Sequence, residues 1–218
     1  MTEKTWTTEE QLAPGIFVYR DALTNGMDVI KRLEAVLEDP STYYNYEEAL
    51  VGYRQKMPQY RDCYDFKYKR TDIDSDQSAA GDELRAVWDT VHEAMVGPVA
   101  DYCRKFPIGE LKYWEASNFI KYGPGQHFQE HTDHGFSYNS TLSAVLYPND
   151  DYEGGELFFR LQGLNVKAKA GDLFLFPSNF MYPHRAMPVT SGFKYSIVTM
   201  LDYSAKYHTP EMYQETND

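Results

Sequence analysis

Apolar positions along the 218-residue chain change period between its front and its back. Met27, Ile30, Leu33, Val36 and Leu37 recur at three- and four-residue steps, which predicts one buried face of a helix. Thr24-Asn25 offers a cap before it and Pro40 a stop after it. A second helix is predicted from about Asp82, with Leu84, Val87, Trp88, Val91 and Met95 on its apolar face. Gly97-Pro98 predicts an interruption there, with resumption as far as Cys103. Ahead of both helices, "PGIFVYRDAL" (14–23) follows a Pro-Gly breaker with β-branched and aromatic residues and predicts a strand.

From Leu111 the texture is different. "LKYWEASNFIKY", "STLSAVLYP", "GGELFFRL", "GDLFLFPS" and "FKYSIVTML" are short, β-rich runs punctuated by glycine, proline, asparagine and aspartate. Strands so spaced predict a sandwich, barrel or jelly roll. Phe158, Phe174 and Phe176 read as its core, and Gly154-Gly155 and Gly171-Asp172 as turns. The expected organisation is one domain over 1–218. Residues 1–110 form a helical support region with an early strand, 111–203 a β core and 204–218 a tail. The segment 53–70, "YRQKMPQYRDCYDFKYKR", alternates aromatic and basic residues. It reads as a substrate-gripping lid or, preferably, as an amphipathic strand or surface loop.

Charge narrows the partners. At a formal −12 the chain on average repels polyanions, so nucleic acid is disfavoured and a neutral or basic peptide suits it better. No apolar run approaches the ~20 residues that span a bilayer, and "MTEKTWTTEEQ" lacks the features of a secretory signal. The expectation is a cytoplasmic protein that does not engage membranes, with Cys63 and Cys103 as reduced structural thiols.

Three of the six histidines lie in "GQHFQEHTDHG", residues 125–135. If "HFQEHTD" is extended, His127, Gln129, His131 and Asp133 share a face and His134 points away. His131 and Asp133 can then grip one ion, while His127 lies about 13 Å up the strand. His184, after the strand "GDLFLFP", supplies a second imidazole. Two imidazoles and one carboxylate on a triangular face suit non-haem Fe(II), because the remaining positions stay open for a co-substrate and O₂. A thiolate-rich or four-ligand set would instead close the site.

Over Tyr122 to Leu201 the chain resembles the 2-oxoglutarate- and Fe(II)-dependent dioxygenases, in particular their prolyl 4-hydroxylase branch. The resemblance rests on Tyr122, Gly125-Gln126, Phe128, His131, Asp133, Tyr147, Gly154-Gly155-Glu156, "AGDLFLFPS", His184 and Lys194. It implies an α+β fold with a double-stranded β-helix (jelly-roll, cupin-like) core and N-terminal helices packed against it. It implies His131, Asp133 and His184 as iron ligands, and Lys194 as the cation for the far carboxylate of 2-oxoglutarate, assisted by Tyr122, Tyr147 and Ser143. The implied reaction hydroxylates a C–H bond, most naturally of a prolyl residue in a peptide or protein, yielding succinate and CO₂ with ascorbate as a supporting reductant. Arg185 reads as a surface ion pair or a substrate contact. The chain departs from the branch at Tyr195, Met200 and Ser140, which puts a non-prolyl amino acid or small molecule beside proline as the substrate.

Overall fold

The computed structural model describes residues 5–51, 55–135 and 139–208. The strands are β1 (Glu9–Ala13), β2 (Ile16–Tyr19), β3 (Glu47–Glu48), β4 (Arg61–Asp62), β5 (Tyr64–Tyr68), β6 (Tyr113–Trp114), β7 (Ser117–Tyr122) and β8 (His127–His131). They continue as β9 (Leu142–Leu146), β10 (Glu153–Gly154), β11 (Leu157–Phe159), β12 (Leu164–Val166), β13 (Leu173–Pro177), β14 (His184–Ala186), β15 (Val189–Ser191) and β16 (Lys194–Asp202). Two helices, α1 (Gly26–Leu37) and α2 (Ala79–Lys105), fall in the front half. The larger sheet runs β1-β2-β13-β9-β16-β7-β5-β3, with β6 on β16; the smaller runs β12-β11-β14-β8-β4. Every pairing in them is antiparallel, and the two sheets face each other as a double-stranded β-helix.

The central strands read as unbroken apolar runs because both faces are covered. On one side of β9 and β13, Leu142, Ala144, Leu146, Leu173 and Leu175 join the core made with α1 and α2. On the other, Val145, Phe174 and Phe176 pack towards the smaller sheet with Phe159. Burial of an aliphatic side chain contributes about 1.5–3 kcal/mol. The helices therefore act as a backing plate for the larger sheet and leave its other face free to build a cavity.

Several local readings are revised by tertiary contacts. The early strand is a hairpin, β1 on β2, rather than one strand over 14–23. Asn25 stands at the N-cap of α1 but makes no side-chain capping bond. Helix α2 starts earlier, with Gly81 N donating to Ser78 Oγ at 3.1 Å, and runs unbroken through Pro98. Burial of Val91, Ala94, Met95, Pro98, Val99 and Tyr102 outweighs the lost backbone bond, of order 3 kcal/mol for an interior proline. Gly97 is not a break but a close approach, since a Cβ there would lie 2.9 Å from Trp6 Cζ3. Phe158 is half-buried, whereas Phe159 is fully enclosed.

Residues 52–54 lie outside the described residues; within the rest of 53–70, β4 joins the smaller sheet and β5 the larger. The segment is thus partly strand, as preferred above, yet Arg61 and Lys67 turn into the cavity between the sheets. No helix among the described residues is long and apolar enough to cross a membrane.

Candidate active site between the two sheets

A cavity of about 770 Å³ opens between the sheets, and His131, Asp133, His184, Tyr122, Tyr147 and Lys194 all line it. At one end, the nitrogen and oxygen donor atoms of His131, Asp133 and His184 lie within 4.8 Å of one another. His131 and His184 face each other across the β8–β14 pairing, with ring centroids 4.4 Å apart. Asp133 is in the loop just beyond β8, its carboxylate 3.4 Å from His131 Nε2 and 3.6 Å from His184 Nε2.

Both rings are oriented in the same way. His131 Nδ1 is 2.9 Å from the Gln129 carbonyl and His184 Nδ1 is 3.1 Å from that of Tyr182. A carbonyl only accepts, so each Nδ1 carries the proton and each Nε2 is free to ligate. Phe128 stacks on His131 at 3.7 Å, while Phe176 meets the His184 ring edge-on at 4.8 Å. Burial lowers the His184 pKa to about 4, against the opposing pull of Asp133, so this imidazole is neutral at pH 7. Burial works against charge on Asp133, but the two imidazoles and the Ser143 hydroxyl outweigh it and hold its pKa far below the usual carboxylate range. Two imidazoles and one carboxylate, with no fourth protein donor among the described residues, fit a divalent ion that keeps open positions.

At the other end, Lys194 is 1% exposed and donates to the Gly155 carbonyl at 2.7 Å. Its ammonium lies 5.1 Å from the Tyr122 ring centre and 5.3 Å from that of Tyr147. Burial brings its pKa from 10.5 down to about 7, with Glu156 the leading charge that opposes the fall. No carboxylate makes an ion pair with it among the described residues, so the site holds a cation that an incoming anion would complete. Gly155 permits this, because it takes φ +68° and an added Cβ would stand 3.0 Å from Lys194 Cδ. Burial also pushes the hydroxyls of Tyr122 and Tyr147 well above the ordinary tyrosine range, so both stay protonated.

Residues 117–201 match the family model described as the 2OG-Fe(II) oxygenase superfamily. Over this segment the chain is similar to that superfamily. A PKHD-type hydroxylase of Colwellia psychrerythraea is 36% identical over 87 residues, which are 36% of this chain and 38% of that protein. A protein of Acanthamoeba polyphaga mimivirus described as a "Putative prolyl 4-hydroxylase" is 27% identical over 130 residues, 50% of this chain and 53% of its own. The chain therefore spans about half the length, or less, of these curated relatives. Among solved structures, a prolyl hydroxylase of Trichoplax adhaerens bound to a hypoxia-inducible-factor peptide superposes with TM-score 0.66 at 13% identity, over 86% of this chain and 83% of that one. A Pseudomonas putida prolyl-4-hydroxylase superposes with TM-score 0.58 at 22% identity, covering 87% and 93%. At these identities the structures establish a common fold.

Within the matched segment, four expectations change. His127 does not line the cavity. Between His184/His131 and Ala186/Phe128 the β8–β14 register shifts, so Gln129 and Glu130 together oppose the single Arg185. That bulge breaks the alternation, turning Phe128 rather than His127 in beside His131. Ser143 faces inward, but its hydroxyl donates to Asp133 Oδ2 at 2.7 Å; it supports the Asp133 carboxylate rather than the lysine end. Tyr195 points to the helices and donates to Glu34 Oε1 at 2.7 Å, so its departure from the family touches the backing plate and not the substrate wall. Arg185 stacks over Phe158 at 4.7 Å and pairs with no acid among the described residues.

His134 is exposed, its Nδ1 against the Ser140 backbone, as expected of a residue outside the ligand set. The sequence reading missed Ser178, the last residue of "GDLFLFPS". Its hydroxyl lies 2.8 Å from those of Ser143 and Ser140. Since Ser143 donates to Asp133, it accepts from Ser178, which in turn accepts from Ser140. A buried line of hydroxyls thus aims its dipoles at the Asp133 carboxylate.

Proposed function

We propose that the chain is a 2-oxoglutarate- and O₂-dependent Fe(II) dioxygenase that hydroxylates a C–H bond, most naturally of a prolyl residue in a peptide or protein. The observation that carries this reading is the pairing, in one cavity, of an open three-donor cluster with a buried, unneutralised lysine at the far end. His131, Asp133 and His184 would hold Fe(II), and Lys194, Tyr122 and Tyr147 the distal carboxylate of 2-oxoglutarate. Iron with 2-oxoglutarate and O₂ supplies the oxidising power for C–H hydroxylation, with succinate and CO₂ as co-products. The protein's part is to fix the ligand imidazoles in one tautomer, hold Asp133 ionised, and shield the reaction from water behind Phe128, Phe159 and Phe176. The acidic surface and the peptide-bound structural neighbour support a peptide rather than a nucleic-acid substrate. The test is Fe(II)-dependent succinate release stimulated by proline-containing peptides. Release stimulated only by free amino acids, or by no peptide in basic, acidic and proline-rich sets, rejects the prolyl assignment; no 2-oxoglutarate turnover under any condition rejects the oxygenase.

A further inference from the structure

The cavity wall beside the metal cluster carries two polar atoms that the fold leaves without partners. Arg61 Nε and Asn118 Oδ1 are both buried and both lack a hydrogen bond among the described residues. Leaving either unmatched is costly, more so for a group on a charged side chain. They belong to one assembly. Arg61 Nη2 donates to Asp65 Oδ2 at 2.7 Å, and Asn118 Nδ2 approaches the same oxygen at 3.5 Å. That contact also settles the amide's orientation, since only the NH₂ can face a carboxylate, and Oδ1 is left facing elsewhere.

Position in the sheets places this pair at the metal end. Asn118 is opposite Val198, which is opposite Val145, two residues from Ser143 and its contact with Asp133. The Tyr122–Lys194 pair is four residues further along β7, about 13 Å away at strand spacing. From the smaller sheet, Arg61 is opposite Phe128 and lies 4.9 Å from its ring centre, and that ring stacks on His131. The lysine end is thus left to the co-substrate, and the Arg61–Asn118 wall faces whatever is oxidised.

The chemistry of the vacancy is specific. Arg61 is already neutralised by Asp65, and its Nη1 is taken by the Leu50 carbonyl at 2.8 Å. Nε is the one guanidinium nitrogen left without a partner among the described residues, and with Asp65 already balancing the charge it suits a neutral acceptor better than a second carboxylate. The neighbouring Cys63 thiol is only a weak acceptor. Opposite it, Asn118 Oδ1 asks for a donor. A neutral group with one acceptor and one donor meets both demands.

We propose that Arg61 and Asn118 are the substrate-recognition pair of this cavity, taking the carbonyl and the N–H of a neutral amide in the substrate. The inference rests on the oxygenase reading above and deepens it, because it favours an amide-bearing substrate over a free carboxylate. The amide can come from a peptide backbone or from a carboxamide group, and small probes distinguish the two.

The experiment follows the Arg61 Nε–H and Asn118 side-chain NMR signals of the full chain during titration with acetamide, N-methylacetamide, N,N-dimethylacetamide or acetate. Acetamide or N-methylacetamide should move both signals: a stronger response to the first indicates a carboxamide, to the second a backbone amide. N,N-dimethylacetamide, which has no N–H, should bind about tenfold more weakly, as should the better amide to Asn118→Leu. Acetate moving Arg61 more than either amide, or no response to any amide, overturns the proposal. The probe comparison needs no variant, so misfolding of Asn118→Leu leaves the test intact. In parallel, 2-oxoglutarate is titrated into Mn(II)-loaded protein. Binding there with silent amides sinks the recognition pair alone, whereas absent binding sinks the oxygenase reading whatever the amides do.

Discussion

Replacing Lys194 by methionine separates what this lysine does for the fold from what it does for an anionic ligand. The side chain is fully enclosed and burial brings its pKa from 10.5 to about 7. At about 1.4 kcal/mol per pH unit, enclosing the ammonium costs on the order of 4 kcal/mol at pH 7. A lysine whose folded pKa is depressed binds fewer protons in the native than in the unfolded chain between those two values. Wild-type stability therefore rises as pH climbs from 7 towards 10.5, and by pH 10 the residual cost is below about 1 kcal/mol. Methionine matches the length but carries no charge. It leaves the Gly155 carbonyl without its 2.7 Å donor, a loss of about 1–3 kcal/mol that does not vary with pH. Urea unfolding of metal-free wild type and Lys194→Met, at pH 7 and pH 10, isolates the titrating part because the constant contributions cancel. The variant should be the more stable at pH 7, and its advantage should shrink by about 3–4 kcal/mol at pH 10. Adding Mn(II) with 2-oxoglutarate should stabilise wild type and leave the variant nearly unmoved. An equal stability difference at both pH values would falsify the picture of a desolvated, unneutralised cation.

Three further outcomes test other parts of the site. His131→Ala should abolish succinate release, whereas His134→Ala, at an exposed ring outside the cluster, should retain most of it; equal losses in a coupled assay would mean that the ligand set is wrong. Ser143→Ala removes the donor to Asp133 and should weaken Mn(II) binding by about tenfold, with Ser178→Ala smaller in effect, both read by calorimetric titration; unchanged affinity would reduce the hydroxyl line to packing. Gly155→Ala forces a Cβ into a left-handed conformation against Lys194 and should lower stability by about 1–2 kcal/mol, measured in urea, while weakening 2-oxoglutarate binding.

How much was legible beforehand follows from the range of the forces involved. The α1 face, the β-rich back half, and the grouping of His131, Asp133, His184, Lys194, Tyr122 and Tyr147 are visible because periodicity and spacing are local quantities. Strict alternation then predicted His127 on the ligand face, and a bulge opposite β14 overruled it. No pattern within "HFQEHTD" encodes that bulge, since it arises from pairing with a strand more than fifty residues away. Alternation did place Ser143 inward, but not what it would touch, because Asp133 lies in a loop beyond the end of β8. Gly97-Pro98 has the composition of a break, yet the helix passes through, because Trp6 occupies the space beside Gly97 and Pro98 is buried with its neighbours Met95 and Val99.

By itself, then, the chain's order of residues determined which segments become helix or strand, which donor types are available, and that two histidines, an aspartate and a distant lysine share one β-rich region. Only the tertiary structure decided that Ser140, Ser178 and Ser143 line up behind Asp133, that Tyr195 turns away to Glu34, and that Arg61 and Asn118 meet over Asp65 from opposite sheets. The physical reason is that hydrogen bonds and ion pairs act over about 3 Å, and residues far apart in sequence come within that distance only once the two sheets have been packed face to face.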